Sequence, residues 1–91
     1  MSVADTMRAK LIAALAPVAL EIEDESARHK GHGGWREGGE THFRVTVVSA
    51  AFAGKSRVDR QRMVYAILKD ELADRVHALG LVTRTPDEAA G

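Results

Sequence analysis

The chain has 91 residues, 13 basic and 13 acidic side chains, 45% hydrophobic residues and no cysteine. That length supports one domain, residues 1–91, with one modest core, and that composition speaks against disorder throughout. Zero formal net charge argues against coating nucleic acid or membrane through bulk electrostatics, and the lack of thiols excludes disulfides, thiol catalysis and any iron–sulfur or zinc site built from this chain's own sulfur.

In chain order, Val3, Met7, Leu11, Ile12 and Leu15 recur at helical spacing, with Ser2 as a cap and Pro17 as the stop. Val18, Leu20 and Ile22 alternate with Ala19, Glu21 and Glu23, which predicts a half-buried strand. Residues 26–39, SARHKGHGGWREGG, hold five glycines and no periodicity. They read as a loop, long for so small a domain, and loops of that kind tend to carry function. Phe43, Val45 and Val47 alternate with Arg44 and Thr46 in a second strand, antiparallel to the first. Ser56, three residues before Asp59, caps a long helix whose apolar stripe is Val64, Ile67, Leu68 and Leu72. A third strand runs from His77 to Val82, and Thr85-Pro86-Asp87-Glu88 opens a short final helix. Strand, helix, strand over residues 41–83 is a crossover unit, so the second and third strands should be parallel and connected right-handedly. No apolar run approaches the ~20 residues that span a bilayer, and the first residues lack a secretory pattern. The expected location is the cytoplasm, as an isolated monomer without membrane contact.

Several of these segments carry a family likeness. They are Asp24-Glu25-Ser26, Gly39-Glu40-Thr41-His42-Phe43-Arg44-Val45, Val47-Val48-Ser49, Phe52-x-Gly54-Lys55-Ser56, Arg60-x-Arg62-x-Val64-Tyr65, Val76-His77-Ala78-Leu79 and Thr85-Pro86-Asp87-Glu88. In this order and at these separations the chain resembles BolA-like proteins over nearly its whole length. The resemblance implies a class II KH-like α/β fold, α-β-β-α-β-α, with a three-stranded mixed sheet and helices packed on one face. It also implies a monothiol glutaredoxin partner, with a [2Fe–2S] cluster bridging the two proteins. The family is further associated with DNA binding and with transcriptional control of cell shape and stress responses.

Mixed ligation suits this composition. A [2Fe–2S] centre has four terminal ligand positions, and imidazole replaces thiolate at some of them in Rieske centres. A chain without cysteine can offer only nitrogen or oxygen, so the sulfur would come from the glutaredoxin and glutathione. No cofactor is expected for the chain alone. On the residues alone, His77 reads more commonly as a partly buried histidine bonded to a backbone carbonyl, sharing its alternation with Leu79 and Leu81. The resemblance makes it the first candidate ligand, because it matches the family's C-terminal ligand histidine. The second ligand is expected from the Gly-rich loop, at His29 or His32. His29 stands where the family's loop histidine stands relative to Glu25-Ser26. His32 lies between glycines that let it reach an iron. At least one of the two is then a solvated loop histidine. Trp35 either packs the loop back on the domain or forms part of a partner surface. His42 reads as a strand-start residue with a structural hydrogen bond.

Lys55, Arg57, Arg60 and Arg62 cluster around a turn and a helix N-terminus, where backbone N–H groups also favour phosphate. They are the candidate nucleic-acid contacts. The nucleic-acid signal is limited: Gly54-Lys55-Ser56-Arg57 lacks the second glycine of a GXXG clamp, and few aromatics are available for stacking. A solvated helix face that meets a protein partner explains the same residues. Gln61 stands where the family often carries a histidine, and no tryptophan follows the C-terminal motif. Catalysis is not expected. The acidic run Glu21, Glu23, Asp24, Glu25 is explained by a strand edge, and Lys55-Ser56 lacks the preceding glycine spacing of a P-loop.

Overall fold

Serine and threonine caps set three helix starts in the computed structural model, which describes residues 2–25 and 41–91. The first helix, α1, spans Val3–Leu15. The Ser2 hydroxyl accepts the Asp5 N–H at 3.0 Å, and the Asp5 carboxylate accepts the Ser2 N–H at 3.3 Å. Two backbone donors at the helix start are thereby satisfied. Hydrogen bonds from Ser2 in turn hold the Asp5 carboxyl below its ordinary value. The helix ends at Ala16, left-handed at φ 43°, just before Pro17. Met7, Leu11 and Leu15 are buried at four-residue spacing, whereas Ile12 is 50% exposed. Ile12 sits about 100° around the helix from Leu11 and so falls outside the stripe it was expected to join.

The sheet has the order β1-β2-β3. Strand β1 is Ala19–Asp24 and β2 is His42–Val48, paired antiparallel with Leu20 opposite Val47 and Ile22 opposite Val45. Val18 precedes β1 and is exposed. Strand β3, Ala78–Arg84, runs parallel to β2. It starts one residue later and ends two residues later than the sequence suggested, because the ladder continues through Val47–Thr83 and Val48–Arg84.

Between β2 and β3 the chain makes a 3₁₀ turn at Ala50–Phe52, then α2, Arg57–Ile67, and α3, Lys69–Ala73. The Ser56 hydroxyl accepts the Asp59 N–H at 3.1 Å. The single long helix expected here breaks at Leu68, whose φ of −103° and ψ of 18° leave the α region. The break lets each short helix lay an apolar side on the sheet: Val64 and Leu68 are buried, Ile67 and Leu72 half-buried. The last helix, α4, is Pro86–Ala90, opened by a Thr85–Glu88 capping box.

Phe43, Val45 and Val47 on one face of β2 meet Met7, Leu11 and Leu15 of α1, Val64 of α2, Leu68, Phe52 and Val76 in one core. Helices α1 and α2 therefore cover the same face of a mixed three-stranded sheet, as expected. Two links fasten α1, one to the end of β2 and one to α3. The Ser49 hydroxyl donates to the Leu15 carbonyl at 2.6 Å, and Lys10 pairs with Glu71 at 2.7 Å.

Candidate functional site

One end of the sheet gathers the candidate ligand region. The Glu25 N–H donates to the His42 carbonyl at 2.7 Å, closing β1 against β2 where the chain enters residues 26–40. Where it returns, the Thr41 carbonyl accepts two N–H groups, from His77 at 2.7 Å and Ala78 at 3.2 Å. His77 therefore has a fixed backbone immediately before β3 while its side chain is exposed. His42 is buried, with Nδ1 2.8 Å from the Thr41 hydroxyl, which matches the structural hydrogen bond expected for it. The His42 and His77 rings lie with centroids 6.4 Å apart and planes tilted by 36°. Arg44 and Glu25 form an ion pair of 3.5 Å at the same end. His29, His32 and Trp35 lie outside the described residues. Among the described residues, no group of three or more histidine or carboxylate side chains comes together to hold a metal.

The basic segment lies at the opposite end of the sheet. Lys55, Arg57 and Arg62 are exposed, and Arg62 pairs with Asp59 at 3.6 Å across one helical turn. Arg60 departs from the phosphate-facing role expected of it. Its side chain is only 12% exposed, and its guanidinium donates to both Glu88 carboxylate oxygens, at 2.6 and 3.2 Å. It also donates to the Thr83 carbonyl at 3.3 Å and the Lys55 carbonyl at 3.0 Å, and lies 5.9 Å from the Phe52 ring centroid. Arg60 thus joins α2, β3, α4 and the Lys55 turn, and a fork with its donors so engaged has little left for a ligand. The guanidinium, helped by the Thr85 N–H, holds the Glu88 carboxyl down to about 2.

Sequence reasoning missed Arg84. It closes β3, is exposed, and shares with Arg57, Leu81, Val82 and Thr83 a cleft of about 290 Å³. Its signal was the continued β-rich run Leu81-Val82-Thr83 past the point where the strand was ended.

Comparison with known proteins agrees with this architecture. SufE-like protein 1, chloroplastic/mitochondrial, of Arabidopsis thaliana is 49% identical over 86 residues. That match covers 90% of this chain, yet this chain spans only 23% of that relative's length. The DNA-binding transcriptional regulator BolA of Escherichia coli (strain K12) is 43% identical over 91 residues, covering 100% of this chain and 83% of that protein. Among solved structures, the BolA domain of SufE1 from Arabidopsis thaliana superposes with a TM-score of 0.87 at 48% identity, covering 97% of this chain and 96% of that one. No helix among the described residues is long and apolar enough to cross a membrane. The family model described as BolA-like protein matches residues 11–88, and with these relatives it establishes that the chain belongs to the BolA-like family.

Proposed function

We propose that this chain is a cytoplasmic adaptor that binds a monothiol glutaredoxin and shares with it a bridging [2Fe–2S] cluster, with His77 and one of His29 and His32 as its contributions. The observation that carries this reading is the exposure of His77 at the sheet end where the chain also enters and leaves the 26–40 segment. An imidazole there is held by its backbone and open to a companion. The donor set fits a shared cluster: the chain has four histidines and no cysteine, so thiolate ligands would have to come from the partner and glutathione. When bound, the cluster would supply redox chemistry or transferable iron and sulfur, for iron–sulfur trafficking or for iron and stress regulation. This chain's part is to bind, orient and offer nitrogen. The role is one of binding, not catalysis.

The test is a spectroscopic titration. Adding the chain to a cluster-loaded monothiol glutaredoxin should change its visible absorption and circular dichroism, and His77→Ala should abolish or alter that change. His29→Ala and His32→Ala, run side by side, identify the loop ligand. The reading falls if His77→Ala behaves as wild type, or if the tag-free chain alone retains a stable coloured cofactor.

A second reading is supported by the DNA-binding role for which the Escherichia coli relative is named and by the exposed cations. The chain would then bind DNA through Lys55, Arg57 and Arg62, with Arg60 holding the surface that presents them. Binding should weaken steeply with salt, and Arg57→Ala with Arg62→Ala should lower the slope by about 2 if each meets one phosphate. Salt-insensitive binding, or none in dilute buffer, removes this reading.

A further inference from the structure

The two edges of the sheet are not alike. Strand β1, Ala-Leu-Glu-Ile-Glu-Asp, carries three carboxylates in six residues, the usual guard of an exposed edge. Strand β3, Ala-Leu-Gly-Leu-Val-Thr-Arg, has no charge before Arg84, no proline and no bulge in its seven paired residues. An edge left so unguarded invites another strand.

The hydrogen bonds identify which groups face outward. Ser49 N–H donates to the Arg84 carbonyl across β2 and β3, so Arg84 directs its backbone groups inward. By alternation Val82 and Gly80 do the same, while Leu79, Leu81 and Thr83 direct theirs to the free side. The Thr83 carbonyl, accordingly, accepts from Arg60 instead of from β2. Leu79 and Leu81 remain as the open part of the edge among the described residues. Their side chains are half-buried against the core, and the cleft of about 290 Å³ opens beside Leu81 with Arg57 and Arg84 in its wall.

We infer that the outer edge of β3 takes an extended acidic peptide segment as an added strand, its backbone on Leu79 and Leu81 and its carboxylates toward Arg57 and Arg84. Three features select this occupant. The edge needs backbone donors and acceptors, which a nucleic-acid backbone does not offer in strand register. The half-buried leucines favour apolar side chains on alternate positions of the added strand. The two exposed arginines favour negative charge, which a second copy pairing its β3 against this one would not supply. The inference does not rest on iron ligation, since these residues lie along β3 beyond His77.

The test uses the full chain, labelled with ¹⁵N, and a fluorescein-labelled hexapeptide of alternating valine and glutamate. Binding should move the amide signals of Leu79, Leu81 and Thr83 and slow their hydrogen exchange. The same peptide N-methylated on alternate residues should bind about tenfold more weakly, having lost its edge hydrogen bonds. Arg57→Glu with Arg84→Glu should weaken the acidic peptide by about tenfold and favour a valine–lysine peptide instead. Binding that survives N-methylation, signals that move elsewhere, or no binding at all overturns the inference. Edge amides already protected in a dimer before peptide is added assign the edge to a second copy. A DNA duplex that moves the same amides at lower concentration than the peptide assigns it to nucleic acid. Either result overturns the peptide.

Discussion

Replacing Ser49 by alanine tests how the first helix is fastened to the sheet. Ser49 has no exposed surface, and its hydroxyl serves two backbone groups. It donates to the Leu15 carbonyl at 2.6 Å and accepts the Ala51 N–H at 3.1 Å. The Leu15 carbonyl belongs to the last turn of α1, where no intrahelical N–H remains to satisfy it. Leu15 is itself 6% exposed, so water does not readily replace the serine there. Ala51 is exposed, and its N–H can turn to solvent. Losing the buried bond costs on the order of 1.5 kcal/mol and losing the solvated one about 0.5 kcal/mol, together about 2 kcal/mol. For a domain of this size that lowers Tm by roughly 10 °C. Urea unfolding followed by far-ultraviolet circular dichroism gives the free energy, and calorimetry gives Tm. As a reference, Ser56→Ala removes one exposed cap bond and should cost about 1 kcal/mol. A loss below about 0.5 kcal/mol for Ser49→Ala, with an unchanged urea slope, refutes the argument that this hydroxyl is the fastening.

Other outcomes follow from the same geometry. His77→Ala should leave unfolding free energy within about 0.5 kcal/mol of wild type, because its exposed ring leaves while its N–H bond to Thr41 stays; a larger loss would mean the ring is structural. Glu88 has a folded carboxyl near 2 against an ordinary 4.5, so its contribution is present above the unfolded value and lost as pH falls through the folded one. Between about pH 5 and pH 2 the wild type should therefore lose urea stability more steeply than Glu88→Gln, and parallel curves would contradict the Arg60 clasp. Gly54 is left-handed at φ 75° with open space where a Cβ would stand, so Gly54→Ala should cost about 1 kcal/mol through backbone strain alone; thermal melts at matched concentration decide it. Phe52, fully buried, should cost roughly 3–5 kcal/mol on truncation to alanine, enough to unfold a marginal domain near body temperature; urea unfolding of Phe52→Ala measures it.

Much of this protein was legible in the order of its residues. Helix starts are local events: Ser2, Ser56 and Thr85 each reach a backbone N–H three residues ahead, so neighbouring letters suffice to place α1, α2 and α4. Strand β2 is equally plain, because Phe43, Val45 and Val47 repeat with the period of two that a sheet face demands. The crossover between parallel strands follows from their order, and the family motifs direct attention to His77 without any knowledge of its surroundings. What stayed hidden depends on residues far apart in the chain. Arg60 looks like one more surface cation until Glu88, 28 residues later, folds back to occupy it. Ser49 looks like a strand-end serine until α1, 34 residues away, presents a carbonyl without a partner. Arg84 joins Arg57 only because β3 runs two residues past its expected end. Local hydrogen bonds and hydrophobic period, being short-range, were set by sequence alone. The fate of each charge and the pairing of each sheet edge were decided by tertiary structure, because they depend on which distant group the fold brings beside them.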